Sequence, residues 1–434
     1  MSPVEIGLLC FFLVMVLILL GIHVAYALIP IGLLGISLIL GFESAISSVV
    51  LISFDRVRDY NFAVVPLFLL MSAFISRSGI GEEAYQTACA WVGQLRGGLA
   101  MATTVACAIF AACCGSSLAS VVAMGQMAYP EMRRYNYDAK LSVGTIAAGG
   151  TMGILIPPSI GLIVVGILTE LSIGKLFIAG IIPGILEALF YLFTIYILCR
   201  TKPELGPALS KTTMSQKFLS LKLTWPVVLL FLLVIGGIYG GVFTPTEAGG
   251  IGAFGAFIVA LARRKLNGAD IVSCLHEGAR TTAMMIALLI GAFIFNQFLA
   301  LTRIPFLTAE FVVSLGLGNY TVLFLVLVVY ILLGMLFDIF SILVLTIPII
   351  FPMIVTLGFD PIWYAVLMVR VVEIGLITPP FGINLFGLAG IVDVPISTMY
   401  RGVMPFLIAD FFHVALLISV PSIVTFLPNL MMGG

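Results

Sequence analysis

The sequence predicts an all-α protein that crosses a membrane many times and is built from two related halves. Of its 434 residues, 62% are hydrophobic and 9% charged, with a mean hydropathy of +1.24. A soluble chain carries about 25% charged residues, so water is not its main solvent. Apolar stretches long enough for a bilayer recur from end to end. FFLVMVLILL (11–20) does not show the period of two that a membrane β-barrel needs. A Pro-Pro pair in a glycine-flanked apolar setting then occurs twice, in GILIPPSIG (153–161) and GLITPPFGI (375–383).

Taken in order, the first half has spans at 4–20, 24–41 and 62–77, with the mixed stretch 43–60 lying in the interface. The first segment lacks a basic n-region and a cleavage site, and reads as a retained first helix. CCGSSLAS (113–120) interrupts the apolar stretch 99–128, which fits one span or a hairpin that enters and leaves by one face. Spans follow at 139–168 and 176–199. The polar segment 200–224 reads as an extended surface connector. The second half places spans at 225–239, 246–262 and 281–298, with an interfacial stretch at 267–280. GMLFDIFS (334–341) interrupts the stretch 322–352, and spans 361–392 and 400–426 end the chain.

Several function classes fall away. The formal net charge is zero, so no basic surface invites nucleic acid. The seven cysteines form no C-x-x-C, and His23, His276 and His413 are far apart, which argues against a metal centre. FTPTEAGG (243–250) lacks the Gly-Lys-Ser/Thr end of a phosphate loop. Thr244 or Thr246 capping a helix with Glu247 in its first turn is the simpler reading. With both interrupted stretches as hairpins and the connector cytoplasmic, the N-terminus lies outside. Arg56, Arg58, Lys175 and Arg303 are then the only outside cations, which satisfies the positive-inside rule.

Shifting the first half by 222 residues lays Pro130, Asp138, Gly153, Pro157 and Pro158 on Pro352, Asp360, Gly375, Pro379 and Pro380. Each half holds five spans and one hairpin. An odd span count sets the halves in opposite orientations, an inverted-topology repeat. The boundaries are 1–199 for the first repeat, 200–224 for the connector and 225–434 for the second. A Pro-Pro pair removes backbone donors and unwinds its helix. The freed carbonyls must be buried in protein or face a wet cavity. Near the midplane such a break offers oxygens to a cation and helix N-termini to an anion.

Four stretches carry a resemblance: AAGGTMGILIPPSI (147–160), GGIYGGVFTPTEAGGIGA (236–253), LLGMLFDIFSILVLTIPIIFP (332–352) and EIGLITPPFGINLF (373–386). Here the chain resembles the large membrane subunit of tripartite ATP-independent periplasmic (TRAP) transporters over essentially its whole length. The resemblance implies an elevator-type, sodium-driven importer of organic acids in the bacterial inner membrane. Two re-entrant hairpins and two discontinuous helices would form its moving part. Its partners would be a small membrane subunit and a soluble periplasmic binding protein. Beyond sodium as coupling ion, no cofactor is implied. Where the family often has serine this chain has Cys114, so the first hairpin tip lacks one side-chain oxygen.

On this resemblance the first sodium site would use Ser116, Ser117, Gly153, Ile156 and Pro158. The second would use Gly334, Gly375, Thr378 and Phe381. Serine hydroxyls also serve plain helix packing in membranes. Asp338, Arg370 and Glu373 stand out as ionisable groups in the second half's membrane segments, where burial marks functional candidates. Arg370 and Glu373 share a helix face and fit a structural ion pair; Arg370 fits an anionic substrate as well. Asn384, just past the break, fits either a carboxylate donor or a backbone cap. A stand-alone sodium/anion symporter, an intramembrane enzyme and a channel remain as alternatives. The enzyme would need a nucleophile and base, or metal ligands, converging at membrane depth.

Overall fold

The computed structural model describes residues 1–210 and 212–432, without the side chains of residues 112–114, 223 and 432. Among the described residues it is helical, with no strand. The first half comprises α1 (Pro3–Leu19), α2 (Val24–Leu40), α3 (Phe42–Arg58), α4 (Val64–Arg77), α5 (Ile80–Val92), α6 (Gly98–Cys114), α7 (Ser117–Arg134), α8 (Ala139–Leu155), α9 (Ile160–Thr169) and α10 (Ile173–Thr201). The second comprises α11 (Met214–Tyr239), α12 (Pro245–Ala262), α13 (Gly268–Thr302), α14 (Ile304–Ser314), α15 (Asn319–Leu336), α16 (Ile339–Thr356), α17 (Pro361–Ile377), α18 (Ile383–Ala389), α19 (Ile396–Ser419) and α20 (Ser422–Met432).

Helix boundaries recur between the halves. Moved by 222 residues, α7 and α8 fall on α16 and α17 at both ends, and α2 falls on α12 to within a residue. The caps explain why. Asp138 accepts from the Lys140 and Leu141 N–H groups to start α8, and Asp360 accepts from the Trp363 N–H to start α17. Ser116 and Asp338 likewise cap α7 and α16. Among the described residues, seven helices are long and apolar enough to cross a membrane, or up to nine if each bent pair is one span. Around the first Pro-Pro pair, α8 and α9 bend by 40°.

The halves interlock. Helix α2 packs on α13, while its counterpart α12 packs on α4. The paired helices α6 and α7 lie on α8, and α15 and α16 lie on α17. Glycines permit the closest crossing: a Cβ on Gly375 would sit 2.5 Å from the Cα of Gly334. Small residues let membrane helices approach in this way.

Three expectations change. Residues 267–280 and 281–298, read as an interfacial stretch and a span, form one 35-residue helix, α13. No proline or cap separates them. In the first half Asp59 accepts from the Asn61 N–H and starts a separate turn at Tyr60–Ala63, between α3 and α4. The connector is shorter than 200–224, because Thr213 and Gln216 form a capping box that opens α11 at Met214. Its preceding loop is docked, with Gly97 N–H donating to Gly206 O at 2.8 Å and Leu209 N–H to Gly93 O at 3.0 Å. The Tyr137 hydroxyl takes the Leu99 N–H and donates to Pro207 O. Burial pushes this phenol up to about 12. Lys211 lies outside the described residues. Helices α5 and α14 (13 and 11 residues) are too short for the span criterion that read the rest.

Candidate substrate and ion site

Each Pro-Pro pair separates two helices that meet a hairpin turn. In the first half the α6–α7 turn, Gly115–Ser116, abuts the break between α8 and α9. A Cβ on Gly153 would lie 3.0 Å from the Ser116 carbonyl oxygen, and one on Gly115 would lie 3.4 Å from that of Pro158. Ser116, Gly153 and Pro158 are therefore neighbours. Ile156 turns its side chain away, against Gly184 of α10, where an added Cβ would come within 2.7 Å of it. The side chain of Cys114 lies outside the described residues.

In the second half Gly334 touches Gly375 backbone to backbone, and the Gly382 N–H donates to Met335 O at 3.3 Å. The Thr378 hydroxyl donates to Ile374 O at 2.6 Å, which leaves its lone pairs free. Tyr400 donates to Pro380 O. Phe381 is 51% exposed. Both Pro-Pro peptide bonds are cis.

The two turns converge on one cavity of about 240 Å³. Ser116, Ser117 and Ile154 line it from the first half, and Asp338, Ser341, Leu376 and Asn384 from the second. Its far wall is His23, before α2, with Met284, Met285 and Leu288 of α13. Asn384 Nδ2 donates to Ser117 Oγ, joining the second break to the first hairpin. Because Ser117 accepts there, its own proton remains available to a bound anion. The Asn384 Oδ1 is buried without a hydrogen-bond partner. Asp338 accepts from the Phe340 and Ser341 N–H groups and from the Ser341 hydroxyl, so it fills the α16 N-terminus with its own negative charge. That disposition favours a cation beside Asp338 more than a substrate carboxylate.

Arg370 is not among the residues that line this cavity. It is fully buried at the centre of a charged cluster. Its Nη2 pairs with Asp410, while its Nη1 lies 3.1 Å from Glu187 and 3.5 Å from Glu373. Its Nε donates to His413 Nδ1 at 3.1 Å. The Glu373 pair is thus present but is the longest of three, and the guanidinium is enclosed by these partners. Sequence reasoning missed Glu187, Asp410 and His413, although all three lie inside expected spans, where an ionisable residue is itself the signal. His23 and the α13 methionines carried no signal in sequence; only folding brings them to the hairpins.

A profile of the tripartite ATP-independent periplasmic transporters, DctM component, matches residues 11–423. The chain belongs to this family. The C4-dicarboxylate TRAP transporter large permease of Pseudomonas aeruginosa is 36% identical over 400 residues, covering 92% of this chain and 93% of that protein. The isethionate TRAP transporter permease DctMQ of Oleidesulfovibrio alaskensis is 31% identical, covering 99% of this chain and 66% of that protein. The fold resembles the crystal structure of the Alcanivorax borkumensis YdaH transporter, with a TM-score of 0.64, 16% identity and 88% of each chain covered. This DctM-family chain is therefore a multi-pass transporter permease rather than an enzyme.

Proposed function

We propose that the chain is the transporting subunit of a sodium-coupled importer of a small organic anion in the bacterial inner membrane. A periplasmic binding protein delivers the anion, and a small membrane subunit completes the assembly. The observation that carries this reading is the convergence of both hairpin turns, and of the helix ends beside both Pro-Pro breaks, on one cavity walled on its far side by His23 and α13. In an inverted repeat such breaks flank the substrate at mid-membrane. The anion's acid group takes the Ser117 hydroxyl at the start of α7, away from Asp338. Relatives named for a C4-dicarboxylate and for isethionate support a small carboxylate or sulfonate. Ser116, Gly153 and Pro158 supply oxygens to one sodium ion, and Thr378 with the Gly334–Gly375 crossing region to the other.

The test is uptake into vesicles holding both membrane subunits, with the binding protein outside. Uptake should require an inward sodium gradient and rise with sodium at a Hill coefficient of about two, one per break. Thr378→Val keeps the shape, deletes the oxygen, and should raise the sodium concentration needed for half-maximal rate. Uptake that ignores sodium and follows an imposed proton gradient overturns the coupling. Full uptake without the binding protein favours a stand-alone symporter.

A further inference from the structure

An acid group brings several lone pairs into the cavity, and few of the lining side chains have a proton left to meet them. Asn384 is buried and directs its amide at Ser117 Oγ, and the Ser341 hydroxyl is spent on Asp338. The Ser116 and Ser117 hydroxyls remain on the hairpin side. On the far wall Met284, Met285 and Leu288 offer no donor, which leaves His23. It is exposed, and among the described lining residues it is the one able to carry positive charge.

The cap at the start of α2 decides which ring nitrogen is free. The Ala25 N–H donates to His23 Nδ1 at 3.3 Å. A neutral imidazole has one N–H, so with Nδ1 accepting, the proton sits on Nε2. The cap thereby sets both the tautomer and the seat of the ring. Among the described residues no acceptor takes the Nε2 proton. Asp338, the other ionisable residue of the lining, is engaged with the N-terminus of α16 instead.

We propose that His23 is a substrate-binding residue of this transporter. Its Nε2–H donates to the acid group of the anion from the far wall, while Ser117 donates from the hairpin side. This role rests on the organic-anion reading of the cavity.

Two substitutions separate the ring nitrogens. His23→Asn keeps an acceptor at the position of Nδ1, a good helix cap, and ends short of Nε2. His23→Gln carries an amide N–H to about the reach of Nε2 and caps poorly. Thermal melts of the full-length chain with its small membrane subunit, at constant sodium, are read without ligand and with rising succinate or isethionate. A ligand that binds the folded state raises the melting temperature with its concentration. At least one of the two anions should stabilise the wild type. His23→Asn should melt like wild type without ligand, yet need about tenfold more anion for the same rise, because the lost bond is to a charged group. His23→Gln should show the reverse, a lower melt without ligand and a dependence on the anion close to that of the wild type. A purely structural role would leave the dependence of His23→Asn unchanged, and that result overturns the proposal. A wild type that neither anion stabilises refutes the organic-anion reading and the role of His23 with it. If His23→Asn fails to fold, His23→Gln against His23→Ala decides, since both lose the cap: equal dependence overturns the proposal, and a tighter response in His23→Gln supports it.

Discussion

Adding one methyl group at Gly375 should drive apart α15 and α17. The Cβ of Gly375→Ala would fall 2.5 Å from Gly334 Cα and 2.8 Å from both Gly334 C and Ile331 O, all backbone atoms of α15. Carbon atoms rest at about 3.5–4.0 Å, so α15 must retreat from α17 by about 1 Å. No side-chain rotation can relieve a clash with backbone. Overpacking of this kind costs about 1–3 kcal/mol, a fall of roughly 5- to 150-fold in the folded-to-unfolded ratio. Gly153→Ala, the first-half counterpart, meets Ser116 O at 3.0 Å and should cost less. Gly236→Ala is the control, since nothing lies within 4 Å of its added Cβ and alanine favours the helix by about 1 kcal/mol. Thermal melts of the purified protein in one detergent should rank Gly236→Ala at or above wild type, then Gly153→Ala, with Gly375→Ala last. Equal melting of Gly375→Ala and Gly236→Ala would refute the close crossing.

Replacing Arg370 by Gln should destabilise by about 3–5 kcal/mol, by stranding buried carboxyl groups. A second change, Asp410→Asn, should recover more in the same melts than Glu373→Gln, because Asp410 is the closer partner; the reverse order would place the main pair within α17. Cysteines introduced at the exposed Ser210 and Ser47 test orientation with an impermeant reagent in intact cells. Ser47 should label and Ser210 should not; the opposite result reverses the topology. Tyr137→Phe should cost about 1–3 kcal/mol, as the hydroxyl that joins Leu99 N–H to Pro207 O disappears. Because burial holds that phenol at about 12, the loss should be the same at pH 6 and pH 9; a cost confined to pH 9 would refute this.

The membrane class and most helices were legible because each depends on local signals: apolar run length, proline pairs and capping residues such as Asp138 and Asp360. The correspondence of α7 with α16 was legible too, since one offset aligned Pro130 and Pro352, which lie inside them. Spatial neighbours were not. Nothing in the sequence near Arg370 distinguishes Glu373, three residues away, from Asp410, forty residues away, as the closer partner. His23 joins the hairpin turns only because α2 packs on α13. The split between 280 and 281 failed because charge patterning marks where a helix leaves an apolar medium, not where it ends.

The unbroken α13 also constrains how the protein sits in lipid. Thirty-five residues at 1.5 Å each give a rod about 52 Å long, against a hydrocarbon core about 30 Å thick. Its first turns carry Asp270, His276, Glu277 and Arg280, and its last turns are apolar. In the first half the joint at Tyr60–Ala63 lets α3 and α4 follow separate axes. A continuous helix has one axis, so α13 cannot lay its polar end along the surface while its apolar end stands upright. It must tilt as a whole or draw the lipid headgroups down along its polar end, and either response costs fractions of a kcal/mol per Å of mismatch. The α13 flank of the protein therefore meets the bilayer in a different way from the flank at α3 and α4, where the joint lets two helices settle separately.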